Sequence, residues 1–217
     1  MIKPFYSFDP EKDSVAYLDL QINKKRAVHE NFGLWIPFFL KGNVSPPVKS
    51  FWPRTFRFYS ISHMTSGHGY YWDDDSEQVI QVKPGQGIIM VPDKVHCYGA
   101  SKDKFVEDSI AFGGPIAESL EKCGLLKFGV IEVGTTRRFL PVIEAAMNPS
   151  DESQIKAGIL LQQLILELNQ QNKHRDIAAP THSLITKLIE EFHEDLSKSW
   201  SMDEMASYCH ICPRHFR

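Results

Sequence analysis

Between Arg54 and Phe112, short aromatic and β-branched runs are cut repeatedly by clusters of Gly, Pro and Asp, and this spacing constrains the fold more than any other feature. Arg54 to Met64 (RTFRFYSISHM) reads as a strand. Thr65-Ser66-Gly67-His68-Gly69 follows as a hairpin turn, because glycine accepts the positive φ such turns need. Tyr70 to Trp72 resumes a strand, Asp73 to Ser76 is a polar turn, and Gln78 to Val82 alternates. Pro84-Gly85-Gln86-Gly87 turns the chain again before the apolar strand Ile88 to Val91, closed by Pro92-Asp93. Val95 to Tyr98 and Phe105 to Phe112 are expected as two further strands. Many short strands at this spacing predict a sandwich or a small barrel.

After Gly113-Gly114-Pro115 the period changes. Ile116 to Leu126 and Arg137 to Met147 are expected as short helices, followed by Ser153 to Asn169. There Ile155, Ile159, Leu160, Leu164 and Leu168 keep helical spacing, while Leu161, Ile165 and Leu166 carry apolar surface around the other side. A helix apolar nearly all round is buried in a core or pairs with a partner helix, and both readings stay open. The polar, proline-ended stretch that follows reads as a linker. Beyond it Leu184, Leu188, Phe192 and Leu196 step by four, an amphipathic helix. The expected organisation is a β barrel or sandwich over 1–112, a helical dimerisation or packing region over 113–171, a linker over 172–180 and a second helical part over 181–217. The fold class is α+β.

The net charge of −3 is unlike that of a free-standing nucleic-acid binder, so if DNA is a partner most of the chain must do something else. MIKPFYSFDPEKD contains no apolar signal-peptide core, and the run Phe32 to Leu40 is too short to span a bilayer and holds Pro37. Cys97, Cys123, Cys209 and Cys212 are too sparse for a disulfide scaffold. A cytoplasmic protein with no membrane contact is expected.

The last residues carry the sharpest motif. Ser201-Met202-Asp203-Glu204 is a capping box, in which the serine hydroxyl and the glutamate carboxylate each satisfy a backbone N–H of the other's residue. The helix it opens breaks at Cys209-His210-Ile211, and Cys212-Pro213 starts another, with proline at the first helical position. Ala206, Ile211 and Phe216 stand where two closely crossing helices would share a core. The alternative is a helical hairpin that merely packs against the protein.

This segment resembles the DNA-binding domain of AraC-type (arabinose-regulator) transcription factors, with Ser201 to Ala206 and then Ile211 to Phe216 matching its pattern; Cys212 replaces the usual serine cap and His215 a usual aromatic. The resemblance implies a truncated helix-turn-helix, the sequence being a fragment, with Pro213, Arg214 and Arg217 at the end of the recognition helix that faces base edges in DNA. It extends upstream through Gly67-His68-Gly69, Pro84 to Tyr98 and Phe112 to Pro115, which resemble the family's cupin-like, jelly-roll-type sensor barrel. His96 and Tyr98 share one strand face because side chains alternate. By the resemblance they contact a small-molecule effector, sugar-like in the arabinose-type sensors, in a pocket that also takes Ser66 and Ser109. Ser109 stands where those sensors carry a tryptophan, which removes a stacking platform. The implied function is a one-component, ligand-responsive regulator, a homodimer in complex with promoter DNA. No cofactor is expected.

Two other readings compete with this one. A metal-dependent cupin enzyme would need a His-x-His pair and a following glutamate, whereas His63 and His68 are five apart. A metal or redox site at Cys209 and Cys212 lacks a second cysteine pair. His96 has its own alternative, a buried histidine bonded to a backbone carbonyl. Which alternating set of Arg54 to Met64 faces inward, and so where Tyr59 and His63 point, stays open. No catalytic residue, metal ligand or enzyme activity is expected.

Overall fold

The computed structural model describes residues 6–8, 23–47, 53–75, 78–178, 188, 191 and 200–208. Eight strands make one sheet: β1 (Tyr6–Phe8), β2 (Trp35–Ser45), β3 (Arg54–Phe56), β4 (Tyr59–Asp73), β5 (Ile80–Val82), β6 (Gln86–Met90), β7 (His96–Gly113) and β8 (Gly129–Glu132). The helices are α1 (Ala27–Phe32), α2 (Pro115–Lys122), α3 (Leu140–Met147), α4 (Asp151–Ala178) and α5 (Met202–Tyr208). Strands β2 to β8 pair antiparallel, and β1 lies parallel to β3.

The long strands β4 and β7 organise the sheet. They pair from Tyr59↔Phe112 to Asp73↔His96. This corrects two expectations. Val95 to Tyr98 and Phe105 to Phe112 are not separate strands, and Thr65 to Gly69 is not a hairpin turn, because both stretches run through inside β7 and β4. The register instead slips between Met64 and Ser66 and again between Gly67 and Gly69. Gly67 has φ +93°, and a Cβ there would stand 2.1 Å from the Lys104 carbonyl oxygen. A bulge calls for the same positive-φ glycine as a tight turn, so the two share a sequence signature.

The bulged sheet folds onto an interior. Met64 of β4 and Ile88 and Met90 of β6 share a core with Tyr71, Val82, Ala100 and Phe105 from beyond the bulge. The opposite face of β4, β6 and β7 presents Tyr59, Ile61, Ile89, Ile110 and Phe112 to the helices. Against them pack Ala117 of α2, Phe139, Val142 and Ile143 in and before α3, and Leu161, Leu164, Ile165 and Leu168 of α4. In this part of the sheet the strands therefore have both faces covered, one by the interior and one by the helical layer.

Helix α4 settles part of the question its sequence left open. Its core stripe is Ala157, Leu161, Leu164, Ile165 and Leu168, while Ile159 and Leu166 remain 52% and 45% exposed. The helix continues to Ala178 where a linker was expected from residue 172. Gln, Lys and Arg propagate a helix well, and no Gly or Pro stands between Gly158 and Pro180 to interrupt it.

The chain divides into two compact units, residues 1–169 and 170–217. In the second, Leu188 and Ala206 are buried, and α5 opens on the expected capping box. The Ser201 N–H donates to Glu204 Oε2 at 2.8 Å and the Glu204 N–H donates to Ser201 Oγ at 3.2 Å. Trp200 packs edge-on against Tyr208, whose hydroxyl donates to Glu191 at 3.0 Å. Pro213, Arg214 and Arg217 lie outside the described residues. Among the described residues, no helix is long and apolar enough to cross a membrane.

Candidate functional site inside the sheet

The interior face collects polar groups from three strands. On β7 alternation sends His96, Tyr98 and Ala100 inward, opposite Asp73, Tyr71 and Gly69 of β4, and Arg54 of β3 pairs with His96. Beyond the bulge Glu107 and Ser109 take the same face, opposite Met64 and Ser62.

His96 is fully buried between Phe56, Phe128 and Tyr98, with ring centroids 4.7, 6.4 and 6.2 Å away. Its Nδ1 lies 3.0 Å from the Lys94 carbonyl oxygen, which can only accept, so Nδ1 carries the proton. Nε2 is then a bare acceptor, buried and without a hydrogen-bond partner. Burial, and next the positive charge of Arg54, hold the imidazole pKa down at about 4, so the ring is neutral near pH 7. The backbone-bonded histidine and the ligand-facing histidine are thus compatible: one nitrogen is used and the other is left over.

The Arg54 guanidinium stands 4.6 Å from the Tyr98 ring centroid and 5.5 Å from that of Phe56. Arg54 makes no ion pair among the described residues. Tyr98 is half-buried, and its hydroxyl is pushed up to about 12, first by burial and then by the nearby Glu107. Glu107 is only 4% exposed, and its carboxyl is raised to about 7, mainly by burial, with Arg54 opposing. The Tyr71 hydroxyl is also buried. It closes no hydrogen bond of ordinary geometry, although Asp73 lies near enough to add to the effect of burial in raising its pKa. A small cavity lined by Ser62, Met64, Tyr98, Phe105 and Glu107 leaves about 10 Å³ open to a water's centre, room for about one water.

The structure brings His96 and Tyr98 together and puts Ser109 on the same face, but not Ser66. Ser66 is exposed beside the register slip that shifts β4 after Met64. Arg54, Tyr71 and Glu107 were not singled out in the sequence. A signal for Glu107 was present: Glu107-Asp108 are consecutive acids in a strand covered on both sides, so one carboxylate must point to each. Asp108 points to the helices, where Arg137 Nε and Nη2 donate to its two oxygens at 2.8 and 2.5 Å and the Gly42 N–H donates at 2.8 Å.

The histidines do not converge. His63 faces the helical layer, with Nε2 2.9 Å from the Gly134 carbonyl oxygen and its ring 5.7 Å from Phe139. His68 is exposed, 3.5 Å from Asp103. Among the described residues no three His, Cys, Asp or Glu side chains form a group that could hold a metal ion.

A profile of the AraC-like ligand binding domain matches residues 43–169, and the chain belongs to that family, the AraC-type regulators with a cupin-like sensor domain. Solved structures to which it is similar include ToxT from Vibrio cholerae (10% identity over 83% of this chain and 72% of that one, TM-score 0.37). Others are YhaK from Escherichia coli (18% identity, 38% of this chain and 37% of that one, TM-score 0.31) and a cupin protein from Bacteroides fragilis (15% identity, 44% and 86%, TM-score 0.30). The match thus spans little more than a third of the YhaK chain. No curated protein sequence matches the chain.

Proposed function

We propose that the chain is the sensing part of a one-component transcriptional regulator in the cytoplasm, whose effector is a small hydroxyl-bearing molecule, sugar-like in chemistry, held inside a jelly-roll-type cupin barrel. The observation that carries this reading is the unpartnered His96 Nε2. A buried acceptor left without a donor costs about 1–3 kcal/mol, and a ligand O–H would remove that cost. Around it the Tyr98 ring, the Arg54 fork and the Glu107 carboxyl offer one aromatic face, a cationic donor and a group that both donates and accepts while protonated. Polyhydroxylated ligands need this mixture. The tight apo cavity means that the ligand must displace side chains, Met64 and Phe105 being nearest to hand.

In this reading pairs of chains associate through α4, and DNA is read by the helix that Pro213 opens, with Arg214 and Arg217 toward the bases. The chain acts as a regulator, not an enzyme: His63 and His96 occupy opposite faces of one sheet, so the donor set of a metal-dependent cupin does not assemble.

A thermal-shift screen of the protein against monosaccharides and sugar acids tests the proposal, since a ligand that binds only the folded state raises the melting temperature. Tyr98→Ala should abolish the shift given by the active compound, with affinity falling about ten- to a hundred-fold while the apo protein stays folded. An undiminished shift in that variant would remove the barrel interior as the effector site.

A further inference from the structure

A much larger cavity lies elsewhere in the sensing unit, and nothing in the reading above uses it. It occupies about 450 Å³ where β2 begins and β7 ends, against about 10 Å³ in the barrel interior. Sites for small organic ligands run from about 300 to 1,000 Å³. Trp35, Pro37, Phe58 and Phe112 supply apolar walls. Trp35 and Phe58 are almost wholly buried, and the Trp35 Nε1–H is already committed to the Asn23 carbonyl oxygen at 2.8 Å. What these rings turn to the cleft is therefore flat apolar surface.

The charges lining it are uneven: Lys25 and Arg57 against Glu30. His29 also lines the cleft but adds no charge. Its Nδ1 accepts the Arg26 backbone N–H at 3.0 Å, its Nε2 faces Gln154 Oε1 at 3.2 Å, and burial disfavours its protonated form. The Lys25 ammonium stands 5.8 Å from the Trp35 ring centroid. Arg57 is exposed and has no ion pair or side-chain hydrogen bond among the described residues, so its fork of donors is turned to solvent at the rim. The floor is kept open by Gly113, the register partner of Trp35, where an added Cβ would meet nothing within 4 Å.

We propose that this cleft is a second ligand site, separate from the barrel interior, for a flat organic anion such as an aromatic carboxylate. The ring system lies against Trp35 and Phe58, and the acid group is taken by the Arg57 guanidinium with Lys25 beside it. Arginine suits the task because its planar fork binds a carboxylate through two parallel hydrogen bonds. The site has different chemistry from the barrel interior, so an effector of one would not displace an effector of the other by direct competition.

Titration with 8-anilinonaphthalene-1-sulfonate, followed by its fluorescence, tests this on the whole chain. N-phenyl-1-naphthylamine, which has the same rings and no charge, is the paired control. The sulfonate should bind saturably, and the neutral probe about tenfold more weakly. Arg57→Gln should weaken the sulfonate about tenfold and leave the neutral probe unchanged, and Arg57→Lys should restore part of the loss. Gly113→Leu, which fills the floor, should remove both probes, while Tyr98→Ala in the barrel should change neither. The proposal is overturned if the sulfonate does not bind, if the neutral probe binds as tightly, if Arg57→Gln and Gly113→Leu both bind it like the parent, or if only Tyr98→Ala loses it. Should Gly113→Leu fail to fold, Arg57→Gln decides alone, since an exposed side chain can be exchanged without disturbing the core.

Discussion

Glu107 and Asp108 sit next to each other in β7, yet the alternation of the strand gives them opposite surroundings. Asp108, fully buried, is held by both arms of the Arg137 fork. Glu107 has no such partner, and burial raises its carboxyl to about 7. The unfolded chain ionises this group near the ordinary carboxylate value of about 4.3, so the folded protein binds its proton more tightly. Stability is therefore fully retained below about pH 4, is lost as the pH rises toward 7, and reaches its lower plateau beyond that. His96 has the opposite sign: its lowered pKa costs stability only below about 6.5, as the unfolded chain begins to take up protons. Between pH 6.5 and 8.5 Glu107 acts without that opposition. The parent protein should lose about 1 kcal/mol over that window, roughly 2–4 °C of melting temperature. Glu107→Gln should flatten this part of the profile and raise stability at pH 8.5 by up to about 3 kcal/mol. Calorimetry of the two proteins across the window checks it, and parallel profiles would mean that Glu107 is already ionised at pH 6.5.

Among the elements, the bulge in β4 decides where every inward side chain points, because a slip of one residue exchanges the two faces of a strand. Gly67→Ala should accordingly be costly. It puts a Cβ at φ +93° and 2.1 Å from the Lys104 carbonyl oxygen, a contact that only movement of the backbone can relieve. A loss of about 2–4 kcal/mol is expected by urea denaturation, against less than about 0.5 kcal/mol for Gly113→Ala, whose Cβ meets open space. Equal midpoints would show that the bulge re-registers freely. The same element shows what was legible beforehand. Residues 1 to about 110 read as β, which overlooks helix α1 at Ala27–Phe32; the β character from residue 54 on, the capping box at Ser201 and the pairing of His96 with Tyr98 on one face all followed from local rules. The continuity of β4 and β7 did not, because glycine serves a bulge and a turn alike. β2 was hidden by Pro37, which occupies a strand that among the described residues pairs only with β7, where the register is already broken between Trp35 and Phe38. The interior placing of Arg54 and Tyr71 depended on sheet register, a long-range property that no window of the sequence contains.

For the whole molecule, the proposed association of two chains rests on α4. One stripe of this helix is spent on the core, from Ala157 to Leu168. A second stripe, Ile155, Ile159, Gln162 and Leu166, steps by four, three and four, the spacing of a two-helix seam. Ile159 and Leu166 are about half exposed on it, and Ile155 and Gln162 are partly so. An isolated unit gains nothing from apolar side chains at those positions, whereas two antiparallel or parallel copies would bury them against each other. The Arg138–Glu167 ion pair (2.5 Å) links this helix to the residue after Arg137, which grips Asp108 between the inward-facing Glu107 and Ser109. These contacts connect the strand that carries Glu107 and Ser109 to the α4 stripe proposed for pairing. Sedimentation equilibrium should find the chain dimeric at micromolar concentration, and Ile159→Glu with Leu166→Glu should make it monomeric. The melting temperature of the monomeric variant should stay within a few degrees of the parent's at a protein concentration low enough to dissociate both. A double variant that stays dimeric would move the interface off α4. One that unfolds would mean that the stripe is part of the core after all.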